Sequence, residues 1–175
     1  MKNNLILIGP MGAGKSTLGR ILAQRLNWPL FDSDTEIQKR TGASIPLIFE
    51  IEGEQGFRDR ETSMLDELCR RDYIVLSTGG GAVTRPENRR ILRSGGWVVY
   101  LYADINLQLE RTANDNQRPL LQNTNRREKL EQLMAERDPL YRQTADFIIK
   151  SGFQSPKSLA DEILQAWWAQ TQTAK

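Results

Sequence analysis

The sequence has no histidine and a single cysteine, Cys69, among its 175 residues. Without histidine, the Ser-His-Asp and Cys-His arrangements of nucleophilic enzymes and most catalytic zinc sites are excluded. A single cysteine excludes an internal disulfide and a metal site built from several cysteines. Acid–base chemistry and metal binding therefore fall to Asp, Glu, Lys, Arg and hydroxyl groups.

Long apolar runs and a surplus of one charge are also missing. The longest apolar runs, such as 4–8 and 97–101, are far shorter than the roughly 20 residues of a membrane span. Residues 1–4 lead into a short apolar strand and then glycines, without the longer apolar core of a signal peptide. Lys and Arg number 24 against 22 Asp and Glu, so the formal net charge of +2 gives no argument for nucleic acid as a partner. We expect one cytoplasmic domain, 1–175, that is monomeric and binds neither membrane nor nucleic acid.

Short apolar runs alternate along the chain with segments of helical periodicity. This spacing predicts strands at 5–8, 29–32, 73–76, 97–101 and 147–149. It predicts helices at 18–26, 35–40, 45–70, 86–95, 126–143 and 158–170, with another around 107–111. Alternating strands and helices predict an open α/β fold with a parallel sheet between helices, whose strand order the sequence leaves open.

The strongest motif lies between the first strand and the first helix. Residues 9–16 read Gly-Pro-Met-Gly-Ala-Gly-Lys-Ser, which matches the phosphate-binding loop G-x-x-x-x-G-K-[ST]. Its glycines let the backbone N–H groups of residues 12–17 surround a phosphate at the positive end of the helix dipole. Lys15 then supplies a charge for the β- and γ-phosphates, and Ser16 a hydroxyl for Mg²⁺. The alternative is a glycine-rich structural turn, which the flanking strand and helix disfavour.

Other sequence features narrow the class of nucleotide-binding protein. The chain has no Asn-Lys pair and no Asp-x-x-Gly, both of which a switch GTPase needs. It is also short for a mechanochemical ATPase. The sequence therefore favours a small kinase, and the alternative from another class is an ATP-binding module without catalysis.

Two carboxylates stand at the end of the second predicted strand, where open α/β sheets bind ligands. If the chain stays extended there, Asp32 and Asp34 project to the same side and face the phosphate loop. One carboxylate would serve Mg²⁺ through water, and the other would hydrogen-bond an acceptor hydroxyl. The alternative is structural, with Asp34 as the N-cap of a helix that begins near Thr35.

Two further motifs point to an anionic acceptor. Arg58 and Glu61 share a helix face by their i,i+3 spacing, and an Arg oriented by a Glu binds a carboxylate bidentately. The alternative is an ordinary surface ion pair. The triple glycine 79–81 follows a buried strand and lets a ligand approach bare backbone. The alternative is a flexible turn.

The long polar segment 112–125 is either a functional flap or disorder.

Together these motifs resemble those of the shikimate kinase family, over about residues 4–165. The likeness rests on Gly-Pro-Met-Gly-Ala-Gly-Lys-Ser, Asp-Ser-Asp, Gly-Phe-Arg-Asp-Arg-Glu, Thr-Gly-Gly-Gly, Gln-Arg-Pro-Leu-Leu and Glu-Arg-Asp-Pro-Leu-Tyr, in chain order. It implies a three-layer α/β/α fold with a five-stranded parallel sheet, an acceptor-binding subdomain at about 33–61 and a mobile lid at about 112–125. It also implies Mg²⁺-dependent transfer of the γ-phosphoryl group of ATP to the 3-hydroxyl of shikimate, on the route to chorismate and the aromatic amino acids.

The resemblance assigns roles to the matching positions. ATP would be bound by Gly12, Ala13, Gly14, Lys15, Ser16, Thr17, Arg111, Arg118 and Gln154, with Arg111 stacked on the adenine. Shikimate would be bound by Asp34, Arg58, Gly79, Gly80, Gly81 and Arg137, the two arginines holding its carboxylate. The metal would be bound by Ser16 and Asp32. Lys15, Asp34 and Arg118 would be the catalytic residues.

One departure and one rival enzyme bear on this reading. The third strand ends Leu76-Ser77-Thr78 without an acidic residue, which leaves Asp32 as the expected carboxylate near the metal. A gluconate-type carbohydrate kinase shares the phosphate loop and a hydroxylated carboxylate acceptor. The triple glycine and Arg137-Asp-Pro-Leu-Tyr141 favour shikimate over gluconate.

Overall fold

The computed structural model describes residues 3–113 and 125–173, and a sheet of five parallel strands forms their centre. The strands are β1 (Leu5–Ile8), β2 (Leu30–Asp32), β3 (Val75–Ser77), β4 (Trp97–Tyr102) and β5 (Phe147–Lys150). Their order is β2-β3-β1-β4-β5, with β1 paired to β3 on one side and to β4 on the other. The predicted five-stranded parallel sheet is confirmed, and its order places the phosphate loop after the middle strand.

Helices connect the strands and cover both faces of the sheet. They are α1 (Lys15–Leu26), α2 (Ser33–Thr41), α3 (Ile45–Cys69), α4 (Pro86–Gly95), α5 (Ile105–Thr112), α6 (Arg126–Thr144) and α7 (Pro156–Thr173). Helices α1 and α7 pack on one face through residues such as Leu22 and Ile163. Helices α3, α4 and α6 pack on the other through Leu65, Leu92 and Tyr141. The three-layer α/β/α architecture is therefore confirmed.

Two predicted boundaries are wrong. The third strand begins at Val75 rather than Tyr73, because Tyr73 has a φ of 60° and is 55 % exposed in the preceding turn. Helix α2 begins at Ser33, directly after β2, so the chain is not extended beyond Asp32. The expectation that Asp32 and Asp34 project together from an extended segment is therefore wrong.

Helix α3 is interrupted by one left-handed residue. Gly53 has φ 70° and ψ 179°, a backbone conformation that a side chain makes costly. The predicted helical stretch 45–70 is thus confirmed as two arms joined by a kink. The second arm carries Arg58 and Glu61 toward the carboxyl ends of the strands.

Thr112 is the last residue of α5, and Asn125 stands at the N-cap of α6. Residues 114–124 of the predicted lid, including Arg118, lie outside the described residues.

No helix within residues 3–113 and 125–173 combines the length and the apolar character that a membrane crossing requires.

Candidate active site

A cavity of about 250 Å³ opens at the carboxyl ends of β1, β2 and β3. The order of the sheet creates this cavity. The chain runs from β1 to β2 on one side of the sheet, whereas it runs from the neighbouring strand β3 to β4 on the other side. A crevice forms at such a switch point, outside the carboxyl ends of β1 and β3. It is lined by Met11, Gly12, Gly14, Lys15, Ser16, Thr17, Asp32, Asp34, Ser77, Thr78, Gly79, Gly80 and Arg111. The structure thus brings together the phosphate loop, both Asp-Ser-Asp carboxylates and two of the three glycines, as predicted from the sequence.

The phosphate loop has the backbone that its glycines permit. Gly12 and Gly14 have φ values of 77° and 95°, which L side chains rarely adopt. Gly14 is the N-cap residue of α1, so the N–H groups that follow it stand at the positive end of that helix. The Lys15 ammonium is buried and donates to the carbonyl oxygens of Gly9 and Pro10 at 2.7 Å each. Its charge therefore lies inside the loop.

Arg111 links the phosphate loop to a distant segment. Its Nη1 donates to the carbonyl oxygens of Gly12 and Ala13 at 3.0 and 2.9 Å, and to Oγ of Ser151 at 3.0 Å. Ala13 itself is buried and does not line the cavity. Since Arg111 does line it, the side chain lies beside any nucleotide bound in the loop, and its stacking on adenine stays a prediction.

Asp32 caps α2. Its Oδ1 accepts a hydrogen bond from the backbone N–H of Thr35 at 3.0 Å, and its backbone is extended. Asp34 lies within the first turn of that helix. The prediction that Asp34 is the N-cap is therefore wrong. The N-cap is Asp32, for which only a role at the metal was expected.

The triple glycine leaves room for side chains of the site. A Cβ atom placed on Gly79 would lie 2.9 Å from Oδ1 of Asp34 and 3.1 Å from Oε1 of Glu61. A Cβ atom on Gly81 would overlap the Arg58 guanidinium. At Gly80 the same atom would meet only ordinary contacts of 3.5 Å or more. The two outer glycines thus make room for the charged groups, and the middle one leaves bare backbone beside the cavity.

Arg58 is held between two carboxylates. Its Nη1 donates to Oε2 of the buried Glu61 at 2.7 Å, and its Nη2 to Oε1 of the more exposed Glu54 at 3.3 Å. Burial lowers the pKa of the Arg58 guanidinium, but the two carboxylates outweigh burial and hold that pKa above its ordinary value. Burial raises the pKa of Glu61, against the opposing charges of nearby guanidiniums. The predicted pair is confirmed, and its burial rules out an ordinary surface ion pair.

Arg137 approaches the same glycines from α6. Its Nη1 would lie 3.7 Å from a Cβ atom on Gly80, whose carbonyl oxygen accepts a hydrogen bond from the Tyr141 hydroxyl. Burial raises the pKa of Tyr141 to about 12, so the phenol stays protonated. Tyr141 belongs to the Arg-Asp-Pro-Leu-Tyr motif, but the sequence alone assigned it no contact. Its i+4 spacing from Arg137 was the signal that both face the site.

Several charged side chains of the site are buried. Among the described residues, the buried charged side chains are Lys15, Arg58, Glu61 and Arg137. Three are cations and one is an anion, and all four lie at this end of the sheet. Because cations outnumber anions among these buried side chains, the arrangement favours anionic ligands.

Besides Ala13, two more of the predicted ATP contacts are not placed at the cavity. Gln154 does not line it, and its amide instead donates to Oε2 of Glu162 at 3.1 Å and accepts from the Ser158 hydroxyl. Arg118 lies outside the described residues. Both roles stay predictions.

Comparison with known proteins points to one family. The shikimate kinase family pattern matches residues 11–168. A shikimate kinase of Thioalkalivibrio sulfidiphilus is 58 % identical over 161 residues, covering 92 % of this chain and 85 % of that protein. The solved structure of a shikimate kinase from Acinetobacter baumannii in complex with shikimate has a TM-score of 0.94 and 51 % identity, covering 96 % of this chain and 94 % of that one.

A gluconokinase from Sinorhizobium meliloti has a TM-score of 0.61 and 14 % identity, covering 99 % of this chain and 95 % of that one. At that identity the likeness shows a shared fold alone. The family pattern and the much higher identity of the first two relatives agree with the buried arginines, the phosphate loop and the triple glycine. This chain belongs to the shikimate kinase family.

Proposed function

We propose that this kinase transfers the γ-phosphoryl group of ATP to the 3-hydroxyl of shikimate, giving shikimate 3-phosphate and ADP. The observation that carries the proposal is the pair of buried guanidiniums, Arg58 and Arg137, beside the triple glycine that borders the phosphate-loop cavity. Two cations beside bare backbone suit an acceptor with one carboxylate and several hydroxyls. The phosphate loop next to them suits a nucleoside triphosphate.

The acceptor carboxylate would bind Arg58 and Arg137. Glu61 already fixes the orientation of the Arg58 fork, so little ordering of that side chain remains to be done on binding. Planar guanidiniums recognise carboxylates through paired N–H donors, which a lysine does not offer. We therefore assign the anchoring of the acceptor to these two residues.

The acceptor hydroxyl would be aligned by Asp34 and by the backbone of glycines 79–81. Asp34 lies against Gly79 and lines the same cavity as Lys15. Phosphoryl transfer passes through a loose transition state, so positioning and charge stabilisation supply most of the catalysis. In such a reaction Asp34 orients the hydroxyl and accepts its proton late. Lys15 and, from the lid, Arg118 would stabilise the charge on the transferring group.

The residues around the loop fit Mg²⁺. The Ser16 hydroxyl and the carboxylates of Asp32 and Asp34 line one cavity with the loop. Mg²⁺ prefers oxygen ligands and is usually held by one or two protein groups together with phosphates and water. Ser16 would bind it directly and Asp32 through water, and the bound ion would neutralise charge on the phosphates. That the enzyme acts as a cytoplasmic monomer, with an acceptor subdomain at 33–61, stays a prediction.

The function is tested by offering one acceptor at a time. We expect ADP release with shikimate to exceed that with gluconate by a wide margin at equal concentrations. Nuclear magnetic resonance of the product should place the new phosphate on the 3-hydroxyl. Equal turnover of gluconate, or a phosphate on another hydroxyl, would contradict the proposal.

Replacing Arg58 with lysine should weaken shikimate binding about tenfold or more and leave ATP affinity nearly unchanged. Lysine keeps the charge but loses the two-pronged geometry. Calorimetric titration with each substrate measures both affinities. Arg60→Lys is the matched control, because Arg60 lies on the same helix and pairs with Glu52 at the surface. Equal losses for ATP and shikimate in Arg58→Lys would place Arg58 outside the acceptor site.

Replacing Glu54 with glutamine should have the opposite effect and should strengthen the binding of shikimate. Glu54 accepts a hydrogen bond from Nη2 of Arg58 and so places a negative charge beside the guanidinium that would bind the acceptor carboxylate. Because its ion pair is partly exposed, the gain should be modest, at most about fivefold tighter binding of shikimate. Glu50→Gln, on the exposed side of the same helix, should leave the affinity unchanged. Weaker binding in Glu54→Gln would mean that Glu54 supports Arg58 instead of competing for it.

A further inference from the structure

The end of β3 carries a buried hydroxyl in place of an acidic residue. Ser77 is the last residue of the strand and is 1 % exposed. Many phosphate-loop enzymes hold Mg²⁺ with an aspartate contributed by a neighbouring strand. In this chain no acidic residue follows β3 until Glu87, in α4. The chemistry available at the strand end is therefore that of a serine.

The register of the sheet sets Ser77 beside Asp32. In the pairing of β2 with β3, Asp32 stands opposite Ser77, and Leu30 opposite Val75. Leu30 and Val75 both pack in the apolar layer on the α1 face. Side chains alternate along a strand, so Asp32 and Ser77, two residues further on, face that side as well. Ser16, at the start of α1, stands on the same side.

Ser77 also lies where two cavities meet. Ser16, Asp32 and Ser77 line both the phosphate-loop cavity and a second cavity of about 270 Å³ between α1 and α2. Within residues 3–113 and 125–173, no protein group hydrogen-bonds the Ser77 Oγ atom. An unsatisfied buried hydroxyl costs folding free energy, and alanine would remove that cost. A serine here is therefore better explained by a ligand than by stability.

We propose that Ser77 is a positioning residue for the metal–nucleotide complex. Its Oγ accepts a hydrogen bond from a water molecule on Mg²⁺, next to the water that Asp32 holds. Ser77 and Asp32 thereby orient the hydration shell of an ion whose direct protein ligand is Ser16. Groups that act on a metal through its bound ligands commonly change metal affinity by about 10–100-fold when removed. The inference rests on the proposed function only in requiring that a nucleotide binds together with Mg²⁺.

The test combines two measurements that should move in opposite directions. Ser77→Ala should bind Mn²⁺, used as the paramagnetic probe for Mg²⁺, about tenfold more weakly in the presence of saturating ADP. Electron paramagnetic resonance measures the free Mn²⁺. The same variant should have an unchanged or higher melting temperature without ligands, because an unpaired buried hydroxyl has been removed. Its affinity for shikimate should match that of the parent.

Thr144→Val is the matched control. Thr144 is also a buried hydroxyl, but it lies just before β5, at the opposite edge of the sheet, and donates to the carbonyl of Leu140. It should lose thermal stability and keep its Mn²⁺ affinity. Parental Mn²⁺ affinity in Ser77→Ala would overturn the proposal. A parallel fall in melting temperature, shikimate affinity and Mn²⁺ affinity would overturn it too, because it would show a structural role. A parent that binds Mn²⁺ and ADP but does not phosphorylate shikimate would contradict the proposed function alone.

Discussion

Lys15→Ala is expected to lower the rate of phosphoryl transfer by about 10²–10³-fold, as is typical when one preorganised electrostatic group is removed from an active site. The Lys15 ammonium is buried and held by the carbonyl oxygens of Gly9 and Pro10. Its charge is therefore in place before the reaction begins and needs no reorganisation in the transition state. Single-turnover kinetics with saturating ATP and shikimate measure the chemical step directly.

Folding has to be separated from chemistry in this variant, because Lys15 also holds the loop. Lys15→Met keeps most of the side-chain volume and should show the same loss of rate. Both variants should bind shikimate nearly as the parent does, since Arg58 and Arg137 are untouched. Turnover near that of the parent in either variant would contradict the assignment of the loop.

Asp34→Asn is expected to lower kcat by about 10²-fold or more while ATP binds nearly as in the parent. Asparagine keeps the size of the side chain but removes the negative charge and the strong acceptor that align the hydroxyl. A positioned acid–base group typically contributes about 10²–10⁴-fold to the rate. Rapid-quench kinetics at saturating substrates and an ATP titration provide the two readouts.

A matched control distinguishes a role of Asp34 in the active site from its interaction with the dipole of helix α2. Glu36 is the other acidic residue in the first turn of α2 and pairs with Lys39. Glu36→Gln removes the same favourable interaction with the helix N-terminus and should leave kcat close to that of the parent. Because Asp32 is the N-cap, Asp34→Asn should also leave the melting temperature almost unchanged. A kcat near that of the parent for Asp34→Asn would remove Asp34 from the acceptor site.

Part of this site could be predicted from the sequence, because its residues lie close together in the chain. The phosphate loop needs only eight consecutive residues, a strand before them and a helix after them. Its glycines, with positive φ at Gly12 and Gly14, and its lysine act within one turn of chain. The pair Arg58–Glu61 was predictable for the same reason, because i,i+3 spacing on a helix brings two side chains together.

Other features depended on backbone conformations that the residues do not dictate. The sequence was compatible with an extended Asp-Ser-Asp segment or with a cap at Asp34. The structure instead ends β2 at Asp32 and lets that residue cap α2. Strand and helix ends are set by hydrogen bonds with neighbouring elements, so a boundary one or two residues away changes which carboxylate is the cap.

The sequence by itself determined the fold class, the phosphate loop and the residue types that meet an anionic acceptor. Only the tertiary structure decided the strand order, the burial of Arg58 and the meeting of Arg58 with Arg137 beside glycines 79–81. It also decided that Ser77 stands opposite Asp32. These relations join residues far apart in the chain. They arise when the whole sheet and its two apolar layers form at once, and no local pattern of residues encodes such distances.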